Sequence, residues 1–313
     1  MPIPEPARAH QTVERIGRST LEHPVLGDIS AWRVGNRVGE SPVWHRGQGA
    51  LYWIDVRAQQ LLRLQPEAPE LLRWALPDVV GAVALRGPRA CWMALRHAIL
   101  EMDLETGRLE QVCAVEDGRH GNRLNEGKAS PSGRWFVFGS MDDRPDKQAN
   151  GSLYRAGSNG HVEPLYEGLA VANGIAWSLD ARQIYFSDSW RGDLLRASWD
   201  EASGSMGKPV RIAAFTDEQG RPDGACTDAE GHYWSAGVSA GVLNRLDADG
   251  ALLESLALPC RAPTMCAFGG GDAQTMLVTS LVRPQWTEPG AWDGALLAFR
   301  TPTPGKLQAD LTF

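Results

Sequence analysis

The chain has 313 residues, 43% of them hydrophobic and 22% charged, the profile of a globular protein long enough to bury a large core. Its 31 Lys and Arg against 38 Asp and Glu give a formal charge of −7, which argues against an electrostatic footprint for nucleic acid. It contains no stretch of about 18 apolar residues, so no membrane span is expected. Met1 to Leu26 mixes charges and prolines without an apolar centre, so no secretory signal and a cytoplasmic location are expected. The odd set Cys91, Cys113, Cys226, Cys260 and Cys266, without a CxxC pair, reads as buried reduced thiols. The histidines are scattered, so any metal is expected to bind through oxygen.

Residues 1–29 precede a repeat and are expected to form an N-terminal extension, part of which could supply a strand to the last repeat. From there one pattern recurs six times: a small or apolar run, a turn rich in Gly, Asp, Ser or Arg, then an aromatic or β-branched run. The first unit is Glu40–Trp44 with Leu51–Asp55, and the second Val80–Ala84 with Cys91–Met93. The third is Asn125–Ala129 with Trp135–Phe138, and the fourth Asn173–Trp177 with Ile184–Phe186. The fifth is Asp223–Thr227 with Tyr233–Trp234, and the sixth Thr264–Phe268 with Met276–Val278. Successive heads are separated by roughly 40–50 residues, the period of a propeller blade. Long amphipathic helical periodicity is absent. Residues 30–313 are therefore expected to form one all-β domain, a six-bladed β-propeller with four antiparallel strands per blade. An all-β sandwich is the weaker alternative, because it does not require six matched units.

The heads are unequal: Glu40, Val80, Asn125, Asn173, Asp223 and Thr264. Blades are arranged radially, so equivalent positions at the start of the innermost strands converge at one mouth of the central channel. Two carboxylates and two amides gathered there would be costly without a counter-charge. A hard divalent cation such as Ca²⁺, Mg²⁺ or Mn²⁺ relieves that cost, and Zn²⁺ also accepts carboxylate.

With these residues in place, the sequence resembles the gluconolactonase/regucalcin (senescence-marker-protein) family of six-bladed propellers. The resemblance runs over roughly residues 36 to 300. It is carried by Gly39-Glu-Ser-Pro-Val-Trp44, Arg123-Leu-Asn-Glu-Gly-Lys128, Asn173-Gly with Tyr185-Phe-Ser-Asp-Ser189, Pro222-Asp-Gly with Asp228-Ala-Glu-Gly231, and Phe268-Gly-Gly270. It implies one divalent metal, Ca²⁺ or Zn²⁺ ahead of Mn²⁺ or Mg²⁺, held by Glu40, Asn173 and Asp223. It also implies substrate contacts from Arg123 and Asn125, with Glu126 beside them. The family usually has Asn-Asp-Gly where this chain has Asn125-Glu126-Gly127, one methylene longer. The loop after Met141, Asp142-Asp-Arg144, is expected to close over the substrate.

The expected activity is metal-dependent hydrolysis of a sugar-acid lactone, an aldonolactone such as gluconolactone or a pentonolactone, in carbohydrate metabolism. Asp223 is the expected general base, with Arg123 on sugar hydroxyls or the developing oxyanion. The expected partner is this small molecule, and the chain is expected to be monomeric. Two alternatives are a metal-dependent esterase or phosphotriesterase on the same site and a non-enzymatic calcium-binding protein. Gly237-Val-Ser-Ala-Gly241 matches a nucleophile elbow but lies between strand-like runs, so Ser239 reads as a blade turn. Trp190 and Trp286, in expected loops, are weaker candidates for lining the site.

Overall fold

Short runs of β-branched and aromatic residues punctuated by Gly, Asp and Ser turns favour hairpins, and hairpins stacked in register form a blade. The computed structural model describes residues 8–68 and 70–313, so the first seven residues of the expected extension lie outside it. It contains six antiparallel sheets arranged as a β-propeller. The innermost strands are Gly39–His45, Val80–Arg86, Asn122–Ala129, Ala172–Trp177, Pro222–Thr227 and Pro263–Gly269. Each begins within three residues of one of the six heads. Among the described residues the only helical piece is the 3-10 turn Arg46–Gln48, and no helix is long and apolar enough to cross a membrane.

The ring closes by joining the two ends of the chain in one sheet. Gly27–Trp32 pairs with Leu296–Arg300 and so completes the sixth blade, with Arg18–His23 outside it. Gln11–Arg15 adds an outer strand to the first blade, against Glu70–Ala75. Closure of this kind fixes the radial order of the blades without exposing an unpaired inner edge.

Between neighbouring blades the sheets bury large side chains such as Trp53, Tyr185, Phe136, Phe138 and Phe186. Trp92, Trp177 and Trp234 are also buried, which makes packing the role of these tryptophans. The C-terminal segment crosses the end of the channel where the inner strands finish. Its backbone donates from Gly305 to Ala273 O, from Lys306 to Thr227 O, from Leu311 to Leu85 O and from Thr312 to Gly133 O. Lys306 Nζ adds a bond to Ser178 O at 3.0 Å. Five blades are thus tied together on the side away from the heads.

Near the axis the inner strands approach so closely that side chains must vanish. A Cβ on Gly81 would overlap the backbone of Leu124 and Asn125 in the next blade. Replacing Gly81 by Ala is therefore expected to cost about 1–3 kcal/mol through overpacking. The readout is the melting temperature, and an unchanged value would contradict this contact between blades.

Candidate active site at the channel mouth

All six inner strands break register with their neighbour near the head. The breaks fall between Glu40 and Val43, Val80 and Ala82, Asn125 and Gly127, Asn173 and Ala176, Pro222 and Ala225, and Pro263 and Met265. A bulge adds twist and re-aims the side chains around it. Ser41, Glu126 and Gly174, each following a head, have positive φ of 53°, 44° and 67°. Gly174 needs to be glycine, because a Cβ there would also strike Tyr233 and Ser187. The bulges leave backbone groups unpaired, and side chains must satisfy them.

Glu40, Arg123, Asn125, Asn173 and Asp223 line one cavity of about 290 Å³ at the mouth. They are only 4–8% exposed, so their polar atoms are largely removed from water. A chain of hydrogen bonds fixes the orientation of all of them except Glu40. Ala172 O can only accept and Arg123 Nη1 can only donate, so Asn125 turns Nδ2 to the first (2.8 Å) and Oδ1 to the second (2.6 Å). Asn125 Nδ2 also donates to Asn173 Oδ1 at 2.8 Å. Asn173 therefore presents Nδ2 to Ser189 Oγ (2.8 Å) and Asp223 Oδ1 (2.6 Å). Side chains from three successive blades, the third to the fifth, thus form one connected network.

Its electrostatics are unbalanced. Burial, then the negative charges of Asp223 and Glu126, raise the Glu40 carboxyl well above its usual pKa. Burial, then Glu126, likewise raises Asp223, against the pull of Arg283, Arg123 and Arg221. Among the described residues the Glu40 carboxylate accepts only one hydrogen bond, from Ser41 N at 3.3 Å. Arg123, whose positive charge acts on Glu40, is already engaged: its Nε donates to Asp143 Oδ1 at 3.2 Å. An almost unpartnered buried carboxylate, a second one beside it and an amide oxygen with a spare lone pair are a donor set that suits a hard divalent cation.

Glu126 takes a different place. It is absent from the cavity lining, and its carboxylate accepts from Gly174 N and from Ile175 N, the latter at 2.8 Å. These are the amides that the bulge in the fourth blade releases. Lys128 Nζ stands 4.0 Å away. Burial pushes the Glu126 carboxyl up to about 7, against Lys128 and the two amides. Side chains the sequence did not single out complete the mouth: Arg57, Lys147, Ser189, Arg221 and Arg283 line it, as does Trp190. Trp286 does not, and Ser239 sits in the turn between strands Tyr233–Gly237 and Val242–Leu246, bonded to Asp217 O. Asp143, in the loop after Met141, is the residue most easily missed. Its carboxylate takes Arg57 at 2.6 and 3.2 Å, Arg96 at 3.4 Å and Arg123 at 3.2 Å. The adjacent pair of aspartates before Arg144 was the only signal.

A second acidic group, Asp228, Glu230 and His232, lies at the other end of the fifth blade's inner strand, with ligand atoms within 4.8 Å of one another. Arg245 Nη2 already bonds Asp228 Oδ2 at 2.9 Å and Glu230 Oε2 at 2.7 Å. Trp234 Nε1 holds Asp228 Oδ2 as well, at 2.9 Å. Both carboxylates here are held by a protein guanidinium, whereas Glu40 at the mouth has only one backbone donor.

Fold and site together define a six-bladed propeller with an oxygen-donor cluster on its axis. The chain belongs to the SMP-30/gluconolactonase/LRE-like family, whose model matches residues 38–282. It is 34% identical to a 6-deoxy-6-sulfogluconolactonase of Pseudomonas putida over 86% of this chain and 92% of that protein. It is 30% identical to regucalcin of Xenopus laevis over 78% of this chain and 83% of that one. Among solved structures, a calcium-binding regucalcin of Agrobacterium tumefaciens superimposes with a TM-score of 0.84 at 26% identity, covering 89% of this chain and 95% of that chain.

Burial raises the Asp143 carboxyl, but hydrogen bonds and charge from Arg57 and Arg123 outweigh it and hold the pKa below 3.8. A depressed native pKa contributes stability above the unfolded-state value, and that stability is lost as pH falls through the native value. Asp143→Asn should therefore cost about 1–3 kcal/mol near neutral pH. The difference from wild type should shrink on acidification below pH 3.8. Denaturant titrations across pH measure it, and a constant difference would exclude the ion-pair origin.

Proposed function

We propose that this protein hydrolyses a sugar-acid lactone, an aldonolactone such as gluconolactone or a pentonolactone, at the channel mouth. One divalent cation, Ca²⁺ or Zn²⁺ ahead of Mn²⁺ or Mg²⁺, is held by Glu40, Asn173 and Asp223. Family membership and the similarity to the 6-deoxy-6-sulfogluconolactonase make it a lactone-hydrolysing enzyme. The cation and the particular sugar are the proposal. The observation that carries it is the buried Glu40–Asp223 pair, with Glu40 almost without hydrogen-bond donors.

Bound there, a divalent cation would polarise the lactone carbonyl and make a water more acidic. Asp223 Oδ1 is occupied by Asn173, so Oδ2 is the atom left to take the proton of the attacking water. That water's oxygen bonds to the carbonyl carbon, the ring C–O bond breaks, and the proton passes to the departing alkoxide. Arg123 Nη2 makes no hydrogen bond among the described residues and is free to reach a sugar hydroxyl or the developing oxyanion. Asn125 spends both amide atoms on Arg123, Ala172 and Asn173, which makes it a positioning residue that couples the arginine to the ligand set. Glu126 acts at one further remove, by holding the bulge that aims Asn173.

The test is acid release from a panel of aldonolactones, followed by pH-stat with and without chelator. Loss of turnover in chelator and its return with a divalent cation are expected. Asp223→Ala should lower kcat by about 10³-fold or more. Turnover that survives both treatments would remove the cation and the base from the mechanism. Activity confined to phosphotriesters, or metal binding without turnover of any lactone, would overturn the lactonase reading.

A further inference from the structure

The mouth carries more positive charge than a neutral sugar lactone requires. Arg57, Arg123, Lys147, Arg221 and Arg283 line the cavity, against Glu40 and Asp223. The chain as a whole has a formal charge of −7, so this reversal is local. Once a cation or protons neutralise the two carboxylates, these five cations face only Asp143 and the exposed Asp217 as ion-pair partners.

The five cations are not equally engaged. Arg57 and Arg123 belong to Asp143. Lys147 Nζ donates to the backbone carbonyls of Asp142 at 2.7 Å and Arg144 at 3.4 Å. Arg221 Nε lies 2.8 Å from Asp217, a carboxylate 68% exposed and therefore screened by water. Arg283 forms no ion pair among the described residues, and its Nη2 donates only to Val238 O at 3.2 Å. Val238 N in turn donates to Arg221 O at 3.1 Å, so one residue ties the two arginines to the same wall of the cavity. Trp190 completes that wall, with the Arg221 guanidinium 5.9 Å from its ring. Both guanidiniums are close enough to Asp223 to act on its charge.

A half-buried arginine without a carboxylate partner, facing a substrate cavity, loses solvation when the cavity fills unless the ligand returns a negative charge. We propose that Arg283, with Arg221 beside it, forms an anion subsite that selects a sugar lactone bearing a carboxylate, sulfonate or phosphate group away from the reacting ester. This rests on the lactonase reading above. Such a group would be held by charge-assisted hydrogen bonds on the wall formed by the fifth and sixth blades, while the ester faces Glu40, Asn173 and Asp223. The same charge should speed encounter with an anionic substrate at low ionic strength.

The test compares gluconolactones carrying a hydroxyl, carboxylate, sulfonate or phosphate at C6, in wild type and R283Q. Wild type should prefer at least one anionic lactone, and which of the three it prefers identifies the group. The ratio of kcat/KM for that lactone over the hydroxyl form should fall roughly 10- to 100-fold in R283Q. It should also fall in wild type when salt is raised to about 0.5 M. R221Q should shift the ratio the same way by less, and it replaces R283Q if that variant does not fold. Turnover of the hydroxyl form with no anionic preference, and no change of ratio in either variant, overturns the subsite and leaves the lactonase reading standing. If none of the four lactones is turned over, the lactonase reading falls, and calorimetry with the open-chain acids decides the subsite alone. Tighter binding of the C6-anionic acid that weakens in R283Q then supports it, and equal binding overturns it.

Discussion

Two carboxylates, Glu40 and Asp223, are held out of water at the mouth of the channel, and the surrounding structure is organised around that tension. A buried carboxylate is tolerated when it is protonated, hydrogen-bonded or paired with a positive charge. Asp223 has an amide donor, whereas Glu40 has one long bond from its neighbour's backbone. Arg123 makes no hydrogen bond to Glu40: its Nε goes to Asp143 and its Nη1 to Leu124 O and Asn125. What remains is protonation or an external cation, and the cation proposed above is also what ester hydrolysis would use.

Holding such groups together demands rigidity from the whole ring. Glu40 comes from the first blade and Asp223 from the fifth, so their approach depends on closure of the sixth blade by Gly27–Trp32. The C-terminal segment braces the opposite end of the channel across five blades. Within the mouth, Asn125 and Asn173 link neighbouring blades directly, and Glu126 caps the amides that the fourth-blade bulge exposes. A site supported in this way is set before substrate arrives, which is what electrostatic catalysis needs.

Much of this was legible in the sequence. The six repeats fixed the blade count, because each begins an inner strand, and the inequality of their heads pointed to the mouth where Glu40, Asn125, Asn173 and Asp223 meet. Arg123 came from the family resemblance alone, since it lies outside the equivalent repeat positions, and it lines the same cavity. The role of Glu126 was not, because a register break cannot be seen in a single strand's sequence, and only the break makes Gly174 N and Ile175 N available. Asp143, Lys147, Arg221 and Arg283 lie outside the regular strands. Nothing in the period of the repeat says which way a loop side chain turns. Trp190 and Trp286 illustrate the same limit: both looked like loop residues, and only Trp190 lines the cavity.

The most direct measurement is the stoichiometry of divalent-cation binding by equilibrium dialysis with metal analysis, in wild type and in Glu40→Gln. The account predicts one tightly held ion per wild-type chain, and a large loss of affinity when the almost unpartnered carboxylate becomes an amide. A wild-type chain that holds no divalent ion, or one that Glu40→Gln leaves untouched, would contradict it.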